Sequence, residues 1–571
     1  MFKGHPKGLY VAFLTNMGER FGFYTMMAIL VMFLQAKYGL TTKGAGWIYS
    51  VFYFFIYALA LLGGFIADRK QNYKGVVATG LVFMFAGYIL LAIPGIEEMV
   101  GLVISCIALG TIAFGNGLFK GNLQAIVGQM YDNPQYSGLR DSAYSIFYMG
   151  INIGAMFAPN AALGIQKWWL GTKGFIFHPG LPALCHAYNK PGTDVDAARL
   201  TELAESVTKS GVVTDLSAFT SEYLQVFSSG YNYAFGLAGI AMLISLVSFI
   251  FFKRHLPDRG KGAAGAAEIP QMPKEEEKQR LIALGLVFLV VIFFWMAFHQ
   301  NGLTMTWFAR DFTARTVEPA TRMIFNIWSL LSIGLGIVGL VLALKPSSTG
   351  KTRGIGAAMA VAFAVVAYLA YRKFQGDGTH SIQPAVFQQF NAFFVVFLTP
   401  VVVGLFAWLR ARGKEPSAPR KIGIGMIIAA MGFVILLAGS LKFSGVYGPG
   451  ELGDAGLSGT IMIDGKPVIL DSLRVSTQWL VQTYLVLTIA ELFLSPMGLS
   501  FVSRVAPPRF QGLMQGGWLG ATAIGNQLIL VGALVWEKIP VWATWLIFIV
   551  CCLISAVVMF SLLKRLEKVA K

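Results

Sequence analysis

Apolar runs long enough to cross a bilayer recur along nearly the whole chain. A helix needs about 20 residues to span the hydrocarbon core, and about 14 such windows can be counted. Of the 571 residues, 56% are apolar and only 13% are charged. A soluble chain of this length would carry a charged surface and divide into several domains. Inside lipid every backbone polar group must be satisfied within its own segment, so the windows are expected to be helices. The expectation is an all-α membrane protein.

The first window, roughly 9–35, breaks its own rule. It reads TNMGERFGFYTM through the centre, with Glu19 and Arg20 side by side. Each charge at mid-membrane costs about 2.5–3.5 kcal/mol on insertion scales, so both must face protein or water. This segment is too long, and charged in the wrong place, for a cleavable signal. Later windows hold further polar residues. Asn116, Lys120 and Gln124 follow i, i+4, i+8 spacing and share a helix face, as do Tyr148 and Asn152. Trp295, His299 and Gln300 close the seventh window, and Asn391 and Glu491 lie within later ones. Two readings stand side by side: structural ion pairs that fix helix packing, or a polar path for a solute. The mixture of signs suits a zwitterion, with Arg20 and Lys120 for a carboxylate and Glu491 for an ammonium.

The net charge of +17 is read as membrane orientation, since no basic patch interleaved with aromatics suggests nucleic acid. Arg69, Lys70 and Lys74, then Lys253, Arg254 and Arg259, then Arg410, Arg412 and Lys414 all fall in loops on one side. The positive-inside rule makes that side, and both termini, cytoplasmic. Cys106, Cys551 and Cys552 lie in apolar segments and Cys185 in a loop, so neither a disulfide framework nor a metal site is implied. There is no HExxH, no GxSxG and no phosphate-binding glycine loop, so neither an enzyme nor a bound cofactor is expected.

The chain divides into six windows over 1–253, a cytoplasmic linker over 254–280 and the remaining windows over 281–571, which suggests two bundles with a path between them. The first half carries a long periplasmic loop at about 167–229, in which Asp194–Ser210 is expected to form a short helix capped by Thr193. The second half carries two uncharged apolar windows within about 322–371 and a loop at about 445–475. In that loop Asp464-Gly465 between alternating apolar residues predicts a β-hairpin.

Several strings together resemble the proton-dependent oligopeptide transporter family, a branch of the major facilitator superfamily. NMGERFGFY at 16–24 is similar to the family's ExxERFxYY signature, and GGFIADRK at 63–70 to the loop motif after the second helix. GNGLFKGN at 115–122, SIFYMGINIGA at 145–155, FQQFNAFF at 387–394 and the stretch from Glu491 to Trp518 follow in the family's order. The resemblance implies a major facilitator fold, two six-helix bundles plus an extra hairpin, that carries di- and tripeptides with protons across the inner membrane. It assigns Arg20 and Lys120 to the peptide carboxylate, and Asn152, Asn391 and Glu491 to the amino end. Tyr24, Tyr57, Trp295 and Trp518 would line side-chain pockets. Glu19 and Glu491 would take part in proton coupling, and Asp68 and Arg69 would control cytoplasmic closure. The partners implied are short peptides, protons and the lipid bilayer.

The chain departs from this pattern in three places. Asn16 stands where the signature begins with glutamate, and Phe23 where it has its first tyrosine. In the seventh window FHQ replaces FEQ, placing His299 at the usual acidic position. Histidine ionises near about 6.5 when unperturbed, so His299 is a candidate substitute coupling site; a neutral, hydrogen-bonded histidine is the alternative. The added hairpin follows the seventh helix, where bacterial relatives usually carry theirs in the central linker. These departures keep two other readings open: a carrier of another zwitterion or anion, such as a modified or cell-wall peptide, with altered coupling, and a non-transporting membrane receptor.

Overall fold

The computed structural model describes residues 4–70, 72–95, 98–131, 135–136, 140–192, 195–257, 273–346, 348–377, 380–448, 461–463, 466–468, 474–505, 507 and 511–569. The long helices are α1 (Lys7–Tyr38), α2 (Thr42–Lys70), α3 (Tyr73–Ala92), α4 (Glu98–Met130) and α5 (Arg140–Thr172). Two short ones follow, α6 (Leu181–Asn189) and α7 (Ala197–Val207), and then α8 (Leu216–Phe252). After the linker come α9 (Lys274–Phe298), α10 (Thr304–Asp311), α11 (Pro319–Phe325), α12 (Ile327–Leu344) and α13 (Gly350–Asp377). The chain ends with α14 (Gln389–Ala411), α15 (Ala418–Ser440), α16 (Gln478–Val505), α17 (Gln511–Leu528), α18 (Leu530–Val535), α19 (Val541–Ser561) and α20 (Leu563–Val569).

Among the described residues, 13 spans are long and apolar enough to cross a membrane, α9 and α10 counting as one with the turn between them. α5, 33 residues long, is a further long helix and carries Asn152, Asn160 and Gln166. This is a multi-pass membrane protein. α1 packs against α5 and α8, α2 against α4, and α3 against α4 and α8. In the second half α15 packs against α16 and α19, α9 against α17 and α19, and α14 against α16. The halves meet along two seams, α2 on α17 and α5 on α14.

Small residues let these helices approach closely, the usual basis of packing where no water drives burial. An added Cβ on Gly80 of α3 would lie 2.6 Å from the Gly115 carbonyl of α4, and the reverse contact is the same. α12 and α13 form the inserted hairpin with the same device: a Cβ on Gly339 would lie 2.7 Å from the Gly356 carbonyl. α13 is almost wholly exposed, as a lipid-facing helix must be.

Helix polarity alternates along the chain, so the start of α1 and the last helix, α20, share one side, here called the terminal face. The far face differs from the sequence expectation. The loop expected at 167–229 is largely helical, because α5 runs on to Thr172 and α8 starts at Leu216. Asp215 caps α8 by accepting from the N–H groups of Ser217 and Ala218, and Phe219, Tyr223 and Phe227 pack in a ladder of rings. The short helix expected there is α7, and its cap is Asp196, whose carboxylate accepts from the Arg199 N–H at 3.0 Å. Thr193 and Asp194 lie outside the described residues. Strands β1 (Thr316–Val317) and β2 (His380–Ser381) pair antiparallel beside the inserted hairpin. Strands β3 (Ile461–Ile463) and β4 (Lys466–Val468) pair antiparallel at the place where Asp464-Gly465 predicts a turn, although those two residues are themselves outside the described set.

Candidate functional site

α1 contributes a closed knot of charge. Arg20 donates from Nε and Nη2 to the two oxygens of Glu19, at 2.5 and 2.6 Å. Asn116 of α4 adds a third donor to Glu19 at 2.8 Å, and the Arg20 guanidinium lies 4.7 Å from the Phe23 ring centre. Glu19 is fully buried and Arg20 nearly so. The edge of Arg20 formed by Nε and Nη2 is therefore taken by Glu19. Asn16, one turn earlier, is buried and donates to the Phe147 carbonyl of α5 at 3.4 Å.

Lys120, one turn beyond Asn116 on α4, is held differently. Its ammonium sits 3.9 Å over the Tyr57 ring of α2, a cation–π contact, and no carboxylate among the described residues lies within ion-pair distance. Lys120, Tyr24 and Tyr57 keep partial exposure, and Gln124, one turn nearer the terminal face, is exposed. Across the cleft Glu491 of α16 is also partly exposed. It accepts from Asn391 of α14 at 3.0 Å, and the same amide donates to Thr488 at 3.1 Å. Among the described residues the structure thus gives a cation with no carboxylate partner on one half and a carboxylate held by one amide on the other. Asn152 is buried on α5.

His299 sits at the seam between the halves. It stacks on Trp295 with ring centres 5.0 Å apart, and the Tyr53 ring of α2 covers it at 4.7 Å. Its Nδ1 bonds to Asn526 Oδ1 of α17 at 2.5 Å, and the other end of that amide donates to the Tyr53 carbonyl at 3.3 Å. Because the amide oxygen can only accept, Nδ1 carries the proton in this arrangement. Trp518 lies inside the second half, its ring against Gly498 and 6.5 Å from that of Phe288. Asp68 and Arg69 fall in the last turn of α2, with side chains outside the described residues.

Toward the far face the halves are joined. Arg310 chelates its neighbour Asp311 at 2.7 and 3.0 Å, then donates to Gln35 of α1 at 3.0 Å; Trp307 donates to the same oxygen at 3.3 Å. Asn160 of α5 bonds to Gln389 of α14. Gly302 meets Tyr49 so closely that no Cβ would fit between them. The far end of the cleft is shut, while exposure at Gln124 lies on the terminal side. Sequence reasoning passed over Asn526, Tyr53, Gln35 and the Arg310–Asp311 pair. The last carried a legible signal, since it repeats the adjacent acid and base of Glu19–Arg20.

The arrangement defines a membrane protein of the major facilitator fold with partly exposed, oppositely charged residues on its two halves. Residues 74–269 and 361–544 match the POT family, PTR2. The chain belongs to that family. It is 26% identical over 562 residues to the uncharacterized transporter YclF of Bacillus subtilis, covering 94% of this chain and 90% of that one. It is 25% identical to dipeptide and tripeptide permease A of Cronobacter turicensis, covering 91% and 82%. Among solved structures it shares its fold with a peptide transporter POT in complex with sulfate, with a TM-score of 0.57 at 23% identity over 100% of this chain and 96% of that one. A POT family transporter in complex with 5-aminolevulinic acid gives a TM-score of 0.56 at 21% identity, over 100% and 98%.

Proposed function

We propose that the protein is a secondary transporter that brings di- and tripeptides into the cell with protons by alternating access. In this reading it sits in the inner membrane with the terminal face cytoplasmic. The observation that carries it is the pair of partly exposed, opposite charges, Lys120 and Glu491, facing one cleft from different halves. A peptide's carboxylate suits the first and its ammonium suits the second, with Asn391 and Asn152 beside the ammonium end. Tyr24, Tyr57, Trp295 and Trp518 supply the aromatic walls for side chains. The dipeptide and tripeptide permeases among the relatives support the same substrate class.

Protonation of Glu19 would loosen its hold on Arg20 and release a second cation toward the carboxylate; Glu491 and His299 are the other proton sites in this reading. Asp68 and Arg69 would close the cytoplasmic end. One charge moving through 100 mV supplies about 2.3 kcal/mol, roughly fiftyfold accumulation. No resident cofactor takes part. Dipeptide uptake into proteoliposomes under an imposed pH gradient and inside-negative voltage tests the reading. Accumulation that collapses with the gradient is expected. Equilibration without accumulation would remove the proton coupling, and no uptake would remove the substrate class. Replacement of His299 by Gln should impair accumulation; unchanged accumulation would discard the histidine as a coupling site.

A further inference from the structure

A second set of polar contacts joins the halves at the far face, away from the cleft. His178 lies in the stretch between α5 and α6, on the first half. Arg315 lies between α10 and α11, on the second. Arg315 Nη1 donates to His178 Nε2 at 2.9 Å. That bond needs the lone pair of Nε2, hence a neutral ring with its proton on Nδ1. Nδ1 is buried and has no hydrogen-bond partner among the described residues. The backbone N–H of His178 donates to the Tyr223 hydroxyl of α8 at 3.2 Å, which holds the stretch in place.

The surroundings oppose a second proton. Among the described residues, the charges acting on the ring are those of Arg315 and Arg474. Arg474 is itself fixed, donating to the carbonyls of Arg310 and Thr313 at 2.9 and 3.0 Å. The nearby acid, Asp311, is chelated by Arg310. A proton on Nε2 would break the bond from Arg315 and set an imidazolium beside two guanidinium groups. Separation of the halves at this face relieves both penalties, because His178 and Arg315 belong to different halves.

We propose that His178 is a proton-binding site of the far face whose protonation opens that face. It rests on the alternating-access reading above only for its place in a transport cycle, in which the far face is external. External protons then favour the state that admits substrate, independently of any proton carried through the cleft.

The sign follows from linkage. In the closed arrangement burial and the two arginines hold the His178 ring well below its ordinary value. In an open one it is solvated and ionises near its unperturbed value of about 6.5. The proton therefore binds the open state, and the stability of the closed state, full above about 6.5, is lost as pH falls through that value. With one such group the open-to-closed ratio rises about tenfold between about pH 7.5 and 5.5.

Spin labels on the two halves at this face, at Val212→Cys and Tyr447→Cys, report opening by pulsed EPR distance without any peptide present. Both sites are exposed. Cys106 and Cys551 are replaced by Ser to silence other reactive thiols. The protein with native His178 should show the rise of about tenfold in the long-distance population, and His178→Gln, which keeps an acceptor but cannot titrate, should show less than a twofold change. The same rise in His178→Gln, or none with native His178, overturns the proposal. His178→Asn serves if the glutamine variant does not fold. Failure of peptide uptake leaves this measurement intact, so the two readings fail separately.

Discussion

The protein contains two buried acid–base pairs of the same form, Glu19–Arg20 at the centre of α1 and Arg310–Asp311 at the end of α10. In each, neighbouring residues close a two-point chelate, with every contact at 3.0 Å or less. They differ in the third partner. Glu19 takes its extra bond from Asn116 within its own half, whereas Arg310 sends its extra bond to Gln35 of the other half. The first pair therefore lies wholly within one bundle, and rocking of the halves does not by itself part it. The second exists in its full form only while the far face is closed. A charge pair's role here is set by the neighbour it recruits rather than by the pair itself.

The largest break in this comparison is Arg20→Ala. It leaves Glu19 buried with Asn116 alone, and stranding a buried charge costs about 3–5 kcal/mol. Concentrative uptake should be abolished and the melting temperature should fall; Glu19→Gln added to Arg20→Ala should restore the melting temperature but not uptake. Normal uptake in the single variant would remove Arg20 from the carboxylate site. Next is Glu491→Gln, which keeps the Asn391 bond but loses the charge. A charge-assisted hydrogen bond is worth about 1.5–3 kcal/mol, so peptide affinity should weaken by roughly 10- to 150-fold with little change in melting temperature. An inhibitor dipeptide that still raised the melting temperature equally would contradict this.

Gln35→Leu tests the second pair. It removes the acceptor shared by Arg310 and Trp307 and penalises only the closed far face, by about 1–2 kcal/mol for groups left unsatisfied. Opening should increase about 5- to 30-fold at every pH by the EPR distance, equivalent to that range at 1.4 kcal/mol per decade. Smallest is Gly339→Leu in the inserted hairpin. The α12–α13 crossing should loosen, with an overpacking cost of about 1–3 kcal/mol, while uptake stays within about twofold. A large loss of uptake would give the hairpin a part in transport.

Much of this was legible because a charge in an apolar run stands out by its insertion cost. Glu19, Arg20, Lys120 and Glu491 announced themselves in that way, and the surplus of spans over the family pattern located the inserted hairpin. Neutral amides carry no such signal. Asn526 and Gln35 look like ordinary polar residues until the fold brings them to His299 and Arg310. The far face was the least legible part. α5 and α8 continue beyond the apolar stretch on aromatic packing and an Asp215 cap, and these features leave little mark in hydropathy. His178 and Arg315 meet across 137 positions of sequence, a separation that no local pattern spans.

The inserted hairpin has a mechanical consequence. Trp328 at its start has its ring 5.7 Å from that of Phe157 on α5, while Gly334 lies against Phe393 and Phe397 of α14. It therefore touches both sides of one hinge line at once. When the two lobes tilt, the hairpin must let go of one shoulder or be dragged sideways through acyl chains, so the thickness and fluidity of the surrounding lipid enter the work of each stroke.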